Sequence, residues 1–155
     1  MLLVMFNFHI MKLSTKGEYG LLAILDLAIH AQESPVQSSQ IADRQKIPKQ
    51  YLDQLMLVLK KSGMVESSRG RQGGYQLARP SSKINLFEVI TALEGPITEV
   101  KCFAKQVQAN QATREILREL WFEIFDQAAE RLRNLTLEEV CEKGRQMDQQ
   151  IMYYI

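Results

Sequence analysis

The sequence predicts a mainly α fold with a small β-hairpin wing: a winged helix-turn-helix followed by a long dimerisation helix. Three observations carry that expectation. Two helical segments are separated by the tight turn Lys46-Ile47, a hairpin loop rich in glycine and arginine follows them, and a long apolar-striped helix comes later.

The first helix is read from Thr15 to Ala31. Leu21, Leu22, Ile24, Leu25, Leu27, Ala28 and Ile29 make it apolar nearly all round, which predicts burial. Glu33-Ser34-Pro35 ends it. A short helix is predicted over Ser38–Gln45, with Ser38 or Ser39 accepting the free N–H groups of its first turn. Pro48 opens the next helix, where its missing N–H has no helical partner to lose, and Gly63 stops it after Ser62. Leu52, Leu55, Met56 and Leu59 recur at helical spacing and form its core face. Lys49, Gln50, Tyr51, Asp53 and Gln54 are expected to point the other way.

Met64–Ser67 and Tyr75–Arg79 read as two short strands around Ser68-Arg69-Gly70-Arg71-Gln72-Gly73-Gly74. A helix is predicted over Asn85–Glu94, stopped by Gly95-Pro96, and residues 97–110 read as a loop. The longest helix is placed at Ala112–Asn134. Its stripe of Leu117, Leu120, Trp121, Ile124, Phe125, Ala128, Leu132 and Leu135 is too broad for one small domain to cover, so a second copy is the expected partner. Thr136 is expected to cap a short helix to Lys143, with residues 144–155 a loosely held tail. By this division residues 1–10 are an extension, or lie upstream of a natural start at Met11. Residues 11–97 form the winged helix-turn-helix, 98–111 a sensor-type loop and 112–143 the dimerisation helices.

Composition narrows the functional classes. The 155 residues are 46% hydrophobic and 24% charged with a net charge of +1, an ordinary globular balance. The charge is unevenly spread. Ser38 to Arg79 carries eight Lys and Arg against three Asp and Glu, a balance of +5, while Leu86 to Ile155 carries eight against twelve, or −4. A basic middle beside an acidic C-terminal half suits a protein that turns one face to a polyanion. The apolar run over residues 1–10 is about half of the roughly 20 residues that a membrane span needs. It has neither a basic leader nor a small-residue cleavage site. Cys102 and Cys141 form no disulfide framework and no paired zinc motif. The expectation is a cytoplasmic chain with reduced thiols and no membrane contact.

The helix-turn-helix suggests double-stranded DNA as the partner. A short polar-faced helix fits the major groove, with Gln50, Tyr51, Asp53 and Gln54 reaching base edges and Lys49 a phosphate. On the hairpin, Arg69 and Arg71 suit the minor groove or phosphates, and the glycines allow close backbone approach. Ser38, Gly73, Gly74 and Tyr75 complete the predicted DNA-contacting set. The hairpin is not a nucleotide-binding loop, because no Gly-Lys-Ser/Thr follows and a strand comes next. Asp26 and His30 stand four apart on one helix but lack a third ligand, so they read as a polar pair at a helix end. The competing class is a winged-helix module for protein–protein contact. A thiol enzyme built on Cys102 is a weaker rival, since no histidine pairs with it.

Four stretches resemble one family. Met11-Lys-Leu-Ser-Thr-Lys-Gly-Glu-Tyr-Gly20 is similar to the opening of the Rrf-two family of bacterial regulators. The similarity continues through Ile47-Pro-Lys-Gln-Tyr-Leu-Asp-Gln-Leu55, the wing-like Arg69-Gly-Arg-Gln-Gly-Gly-Tyr-Gln-Leu-Ala78 and Ile84-Asn-Leu-Phe-Glu-Val-Ile-Thr-Ala-Leu-Glu-Gly-Pro-Ile97. It implies a winged-helix homodimer that crosses its long helices and controls genes at palindromic operators. It also implies a sensor site of three cysteines in the loop before the long helix, joined in some members by a glutamate of the partner subunit. Here only Cys102 lies in that loop, and Glu18 matches the glutamate. An iron–sulfur cluster would find its usual cysteine set incomplete. The expectation is therefore no cofactor, with control by a redox, metal or metabolite signal through a small-molecule effector, a partner protein or Cys102.

Overall fold

The computed structural model of the chain describes residues 13–31, 34–70, 72–96 and 111–152. The predicted extension, the loop with Cys102, and Arg71 lie outside the described residues. The elements run α1 (Thr15–His30), α2 (Ser38–Gln45), α3 (Lys49–Lys61), β1 (Val65–Ser68), β2 (Gly74–Leu77), α4 (Leu86–Glu94), α5 (Gln111–Arg133) and α6 (Leu137–Met152), with one 3-10 turn at Ser81–Lys83.

Helix α1 is the hub against which α2, α3, α4 and α6 all pack. Its Ala23, Ile24 and Leu27 meet Leu52, Leu55, Met56 and Leu59 of α3, Val89 and Leu93 of α4, and Leu137 of α6 in one core. The four α3 residues are the face predicted from spacing. Ile29 departs from the expected all-round burial and stays exposed. It stands on the side of α1 opposite the buried Gly17, Gly20, Ile24 and Leu27. Ser14 caps α1, accepting from the Gly17 N–H at 3.2 Å, and in turn donates its hydroxyl to Glu94 of α4. A β-carbon at Gly20 would collide with Leu93, so α1 and α4 cross at glycine-limited distance.

Strands β1 and β2 pair antiparallel, with Val65 opposite Leu77 and Ser68 opposite Gly74. The segment before α2 adds a one-residue rung on the far edge of β2: Val36 donates to the Tyr75 carbonyl at 2.9 Å and accepts from its N–H at 2.8 Å. The start of α4 is likewise laced to the α5–α6 junction, with Leu86 N–H donating to Leu135 at 2.8 Å and Leu137 N–H to Ile84 at 2.9 Å.

Two expectations about helix ends are corrected. Neither Ser38 nor Ser39 caps α2. Gln37 is the cap residue, its N–H donating to the Gln40 side chain at 3.2 Å, and both serines lie inside the first turn. Helix α6 does not stop at Lys143: it runs through Gly144 to Met152. Leu137 and Cys141 anchor its first turns in the core, and good helix formers propagate it across the single glycine.

Among the described residues, Asp26 is a charged group buried in this core. The Asp26 side chain is wholly enclosed on α1. Arg44 of α2 grips it twice, Nε to Oδ2 at 3.0 Å and the terminal nitrogen to Oδ1 at 2.6 Å, and Gln45 Nε2 donates to Oδ2 at 2.8 Å. His30 Nδ1 donates to the Asp26 carbonyl at 2.9 Å. Both carboxylate oxygens are thus satisfied by α2, which removes the pair Asp26 and His30 from any metal role. Burial by itself pushes the carboxyl upward, but the hydrogen bonds of Arg44 and Gln45 and the charges of Arg44 and His30 outweigh it, leaving it below the ordinary aspartate value.

A carboxyl held low in the fold stabilises it above the unfolded value, near pH 4, and loses that contribution as pH falls through the folded value. Asp26→Asn is expected to lower stability at pH 7 by about 1.5–3 kcal/mol, the worth of hydrogen bonds to a charged group. The gap between wild type and variant should close on acidification below about pH 4. Urea unfolding at pH 7 and pH 3, at one protein concentration, checks both. A gap that does not change with pH would show that Asp26 is not ionised in the fold.

Candidate nucleic-acid interface

The helix-turn-helix is built by α2, its turn and α3. The turn depends on Lys46, which closes α2 in the left-handed conformation at φ 56°. Its N–H and that of Ile47 both donate to the Ala42 carbonyl, and the buried Ile47 pins the turn to the core. Pro48 then precedes the first residue of α3, accepting at its carbonyl from Tyr51 and Leu52.

Helix α3 turns Lys49, Gln50 and Gln54 to solvent as expected. Lys49 and Asp53 form an ion pair of 2.8 Å along this face. Tyr51 departs from the expectation: its ring is half-buried and meets Tyr19 of α1 edge-on, centroids 5.9 Å apart. Ser38 and Ser39 are half-buried at the start of α2. Leu57, absent from the predicted set, is exposed on the same outer face of α3. Further along, Lys60 donates to the Ser67 hydroxyl, joining the end of α3 to β1.

The wing stands beside this surface. Arg69 is exposed next to Gly70, whose φ of 110° makes the reversal. Gly74 lies where a β-carbon would strike the Val36 backbone, so the rung between Val36 and Tyr75 requires a glycine there. Tyr75 packs half-buried against the core. Between the wing and α2 lies a cleft of about 620 Å³, bordered by His30, Gln37, Gln40, Arg44 and Gln72. The pairing of Asp26 with Arg44 and Gln45, and the rung through Val36, went unread in the sequence. Periodicity reports which face of an element is apolar, not which polar group meets which across 18 residues.

The remaining predicted residues lie on α1, α5 and α6. Helix α5 packs on α4 toward its C-terminal end, where Ala129 is buried. Leu117, Leu120 and Ile124 are 45%, 50% and 53% exposed. Trp121, Ala128 and Leu132 are half-buried, and Trp121 meets Phe125 edge-on at 6.1 Å. Arg133 lies over the Phe87 ring of α4 at 4.3 Å. Glu18 is exposed in the first turn of α1. Cys141 is buried under α6, where burial pushes its thiol up.

Comparison with known proteins agrees with this architecture. The Rrf2 family, described as an iron-dependent transcriptional regulator, matches residues 13–143. The HTH-type transcriptional regulator IscR of Xenorhabdus nematophila is 36% identical over 138 residues, covering 89% of this chain and 84% of that protein. Among solved structures, CymR, the global cysteine regulator of B. subtilis, superposes with a TM-score of 0.74 at 36% identity, covering 86% of this chain and 98% of that one. The IscR of T. potens gives 0.69, also at 36%, covering 86% and 88%. With its helical core, antiparallel hairpin and helix-turn-helix, the chain belongs to the Rrf2 family of winged-helix transcriptional regulators, DNA-binding proteins rather than enzymes.

Proposed function

We propose that the protein acts in the cytoplasm as a homodimer on a palindromic operator, each protomer laying α3 in the major groove and its wing on the flanking backbone. The observation that carries this reading is the exposed polar face of α3 beside an arginine-bearing hairpin that is joined to the segment before α2 by the rung between Val36 and Tyr75. Gln50 and Gln54 have the donors and acceptors to pair with adenine edges, and Asp53 can accept from cytosine. Arg69 and Arg71 supply charge, which positions the protein without reading sequence. Arg69→Ala is expected to weaken binding to all duplexes alike and to reduce the salt slope by about one unit. Titrations at several salt concentrations measure it, and an unchanged slope would remove the wing from the interface.

The second copy is supported by α5. Leu117, Leu120 and Ile124 present a contiguous apolar stripe to solvent in one protomer, and a two-fold partner offering the same stripe covers it. Ile124→Lys is expected to convert a dimer to a monomer at micromolar concentration, as light scattering would report. A monomeric wild type would refute the assembly.

For the signal, we propose control without a conventional iron–sulfur cluster. The family's description as iron-dependent raises the question, and the donors of this chain do not fit the group. Such clusters want thiolates. Cys141 is sunk in the core with its thiol disfavoured from ionising, which leaves Cys102 with Glu18 as an incomplete set. Control then falls to a small-molecule effector or partner protein at the dimer seam, or to oxidation of Cys102. Protein purified without oxygen should carry no stoichiometric iron and sulfide and show no visible absorbance. A visible spectrum lost in Cys102→Ala would overturn this.

A further inference from the structure

Leu57 is the apolar residue of α3 that neither the core nor the predicted DNA-contacting set uses. Counting about 100° per residue, it stands roughly 150° around the helix from the centre of the buried face formed by Leu52, Leu55, Met56 and Leu59. That direction is the middle of the polar stripe. Gln50 and Gln54 lie on one side of it, seven and three residues back. Lys49, Asp53 and Lys60 lie on the other, with Asp53 closed on Lys49 at 2.8 Å and Lys60 turned to Ser67. The leucine is left 54% exposed between them. A single exposed leucine is ordinary on a protein surface. One at the centre of a groove-reading face is a chemical selector, because its side chain can neither donate nor accept.

The major groove presents one apolar group, the C5 methyl of thymine. Leu57 also lies about 4.5 Å further along the helix axis than Gln54, close to the spacing of about 3.4 Å between stacked base pairs. We propose that Leu57 is a specificity-determining residue that packs on a thymine methyl, at a base pair neighbouring those within reach of Gln50 and Gln54. This rests on the reading that α3 enters the major groove.

The test uses the full-length protein. Binding sites are selected from a random duplex library, and each thymine of the selected site is then replaced singly by deoxyuridine, which keeps every hydrogen-bonding group and removes only the methyl. Wild type should bind about fourfold more weakly at one thymine per half-site, the worth of one buried carbon group. Leu57→Ala, with its fold checked by circular dichroism, should bind thymine and uracil duplexes equally at that position. If every uracil duplex binds wild type like its parent, or if Leu57→Ala keeps the methyl preference, the proposal fails while sequence-specific binding stands. If selection enriches no sequence, the groove reading and the proposal fall together.

Discussion

The clamp of Arg44 and Gln45 on Asp26 is the contact on which the helix-turn-helix depends. Apolar packing between α1 and α2 is close to non-directional, because it rewards area removed from water and is nearly indifferent to small rotations. A two-pronged guanidinium on a carboxylate is not indifferent, since both hydrogen bonds exist in one orientation only. The enclosed Asp26 would be a heavy penalty if left unpaired. The fold therefore holds α2 at the rotation that delivers Arg44 and Gln45 together, and the turn at Lys46 passes that orientation to α3.

The wing is fixed by a different device. A two-stranded hairpin has little stability alone, and this one gains a further rung from Val36 and a core contact through Tyr75. Because Val36 lies two residues before α2, next to its cap Gln37, the hairpin and the helix-turn-helix share one support. The other half of the molecule is held more loosely. Helix α5 joins the domain at its C-terminal end, through Ala129, the cation–π contact of Arg133 with Phe87 and the backbone bonds around Leu135. Its apolar middle projects beyond the domain.

Most of this order was legible in the sequence because each element announces itself locally. The spacing of Leu52, Leu55, Met56 and Leu59 marked the buried face of α3, and Gly63 its end at φ 72°. The glycines of the hairpin marked the wing, and Asn85 and Thr136 stand where α4 and α6 begin. What stayed hidden is tertiary. A serine pair looked like the better cap, yet Gln37 and Gln40 close on each other across the first turn of α2. The helix from Leu137 was expected to end at Lys143, yet one already anchored by Leu137 and Cys141 carries Gly144 for about 1 kcal/mol. Tyr51 sits at the border between the buried and exposed arcs of α3, where spacing assigns no side. On α3, spacing marked Lys49, Gln50 and Gln54 as solvent-facing, but the ring contact of Tyr51 with Tyr19 needed the helix set against its neighbours.

The left-handed Lys46 has a consequence for how this turn tolerates its sequence. A side chain in that conformation costs roughly 1–2 kcal/mol, and glycine would remove the strain. Glycine would also widen the conformational freedom of the unfolded chain, which returns part of that gain as lost entropy on folding. The two effects oppose each other in sign and are similar in size, so thermodynamics leaves the choice at this position nearly open. Electrostatics can then decide it: an exposed lysine adds a cation at the turn of the helix-turn-helix for little net change in the stability of the fold.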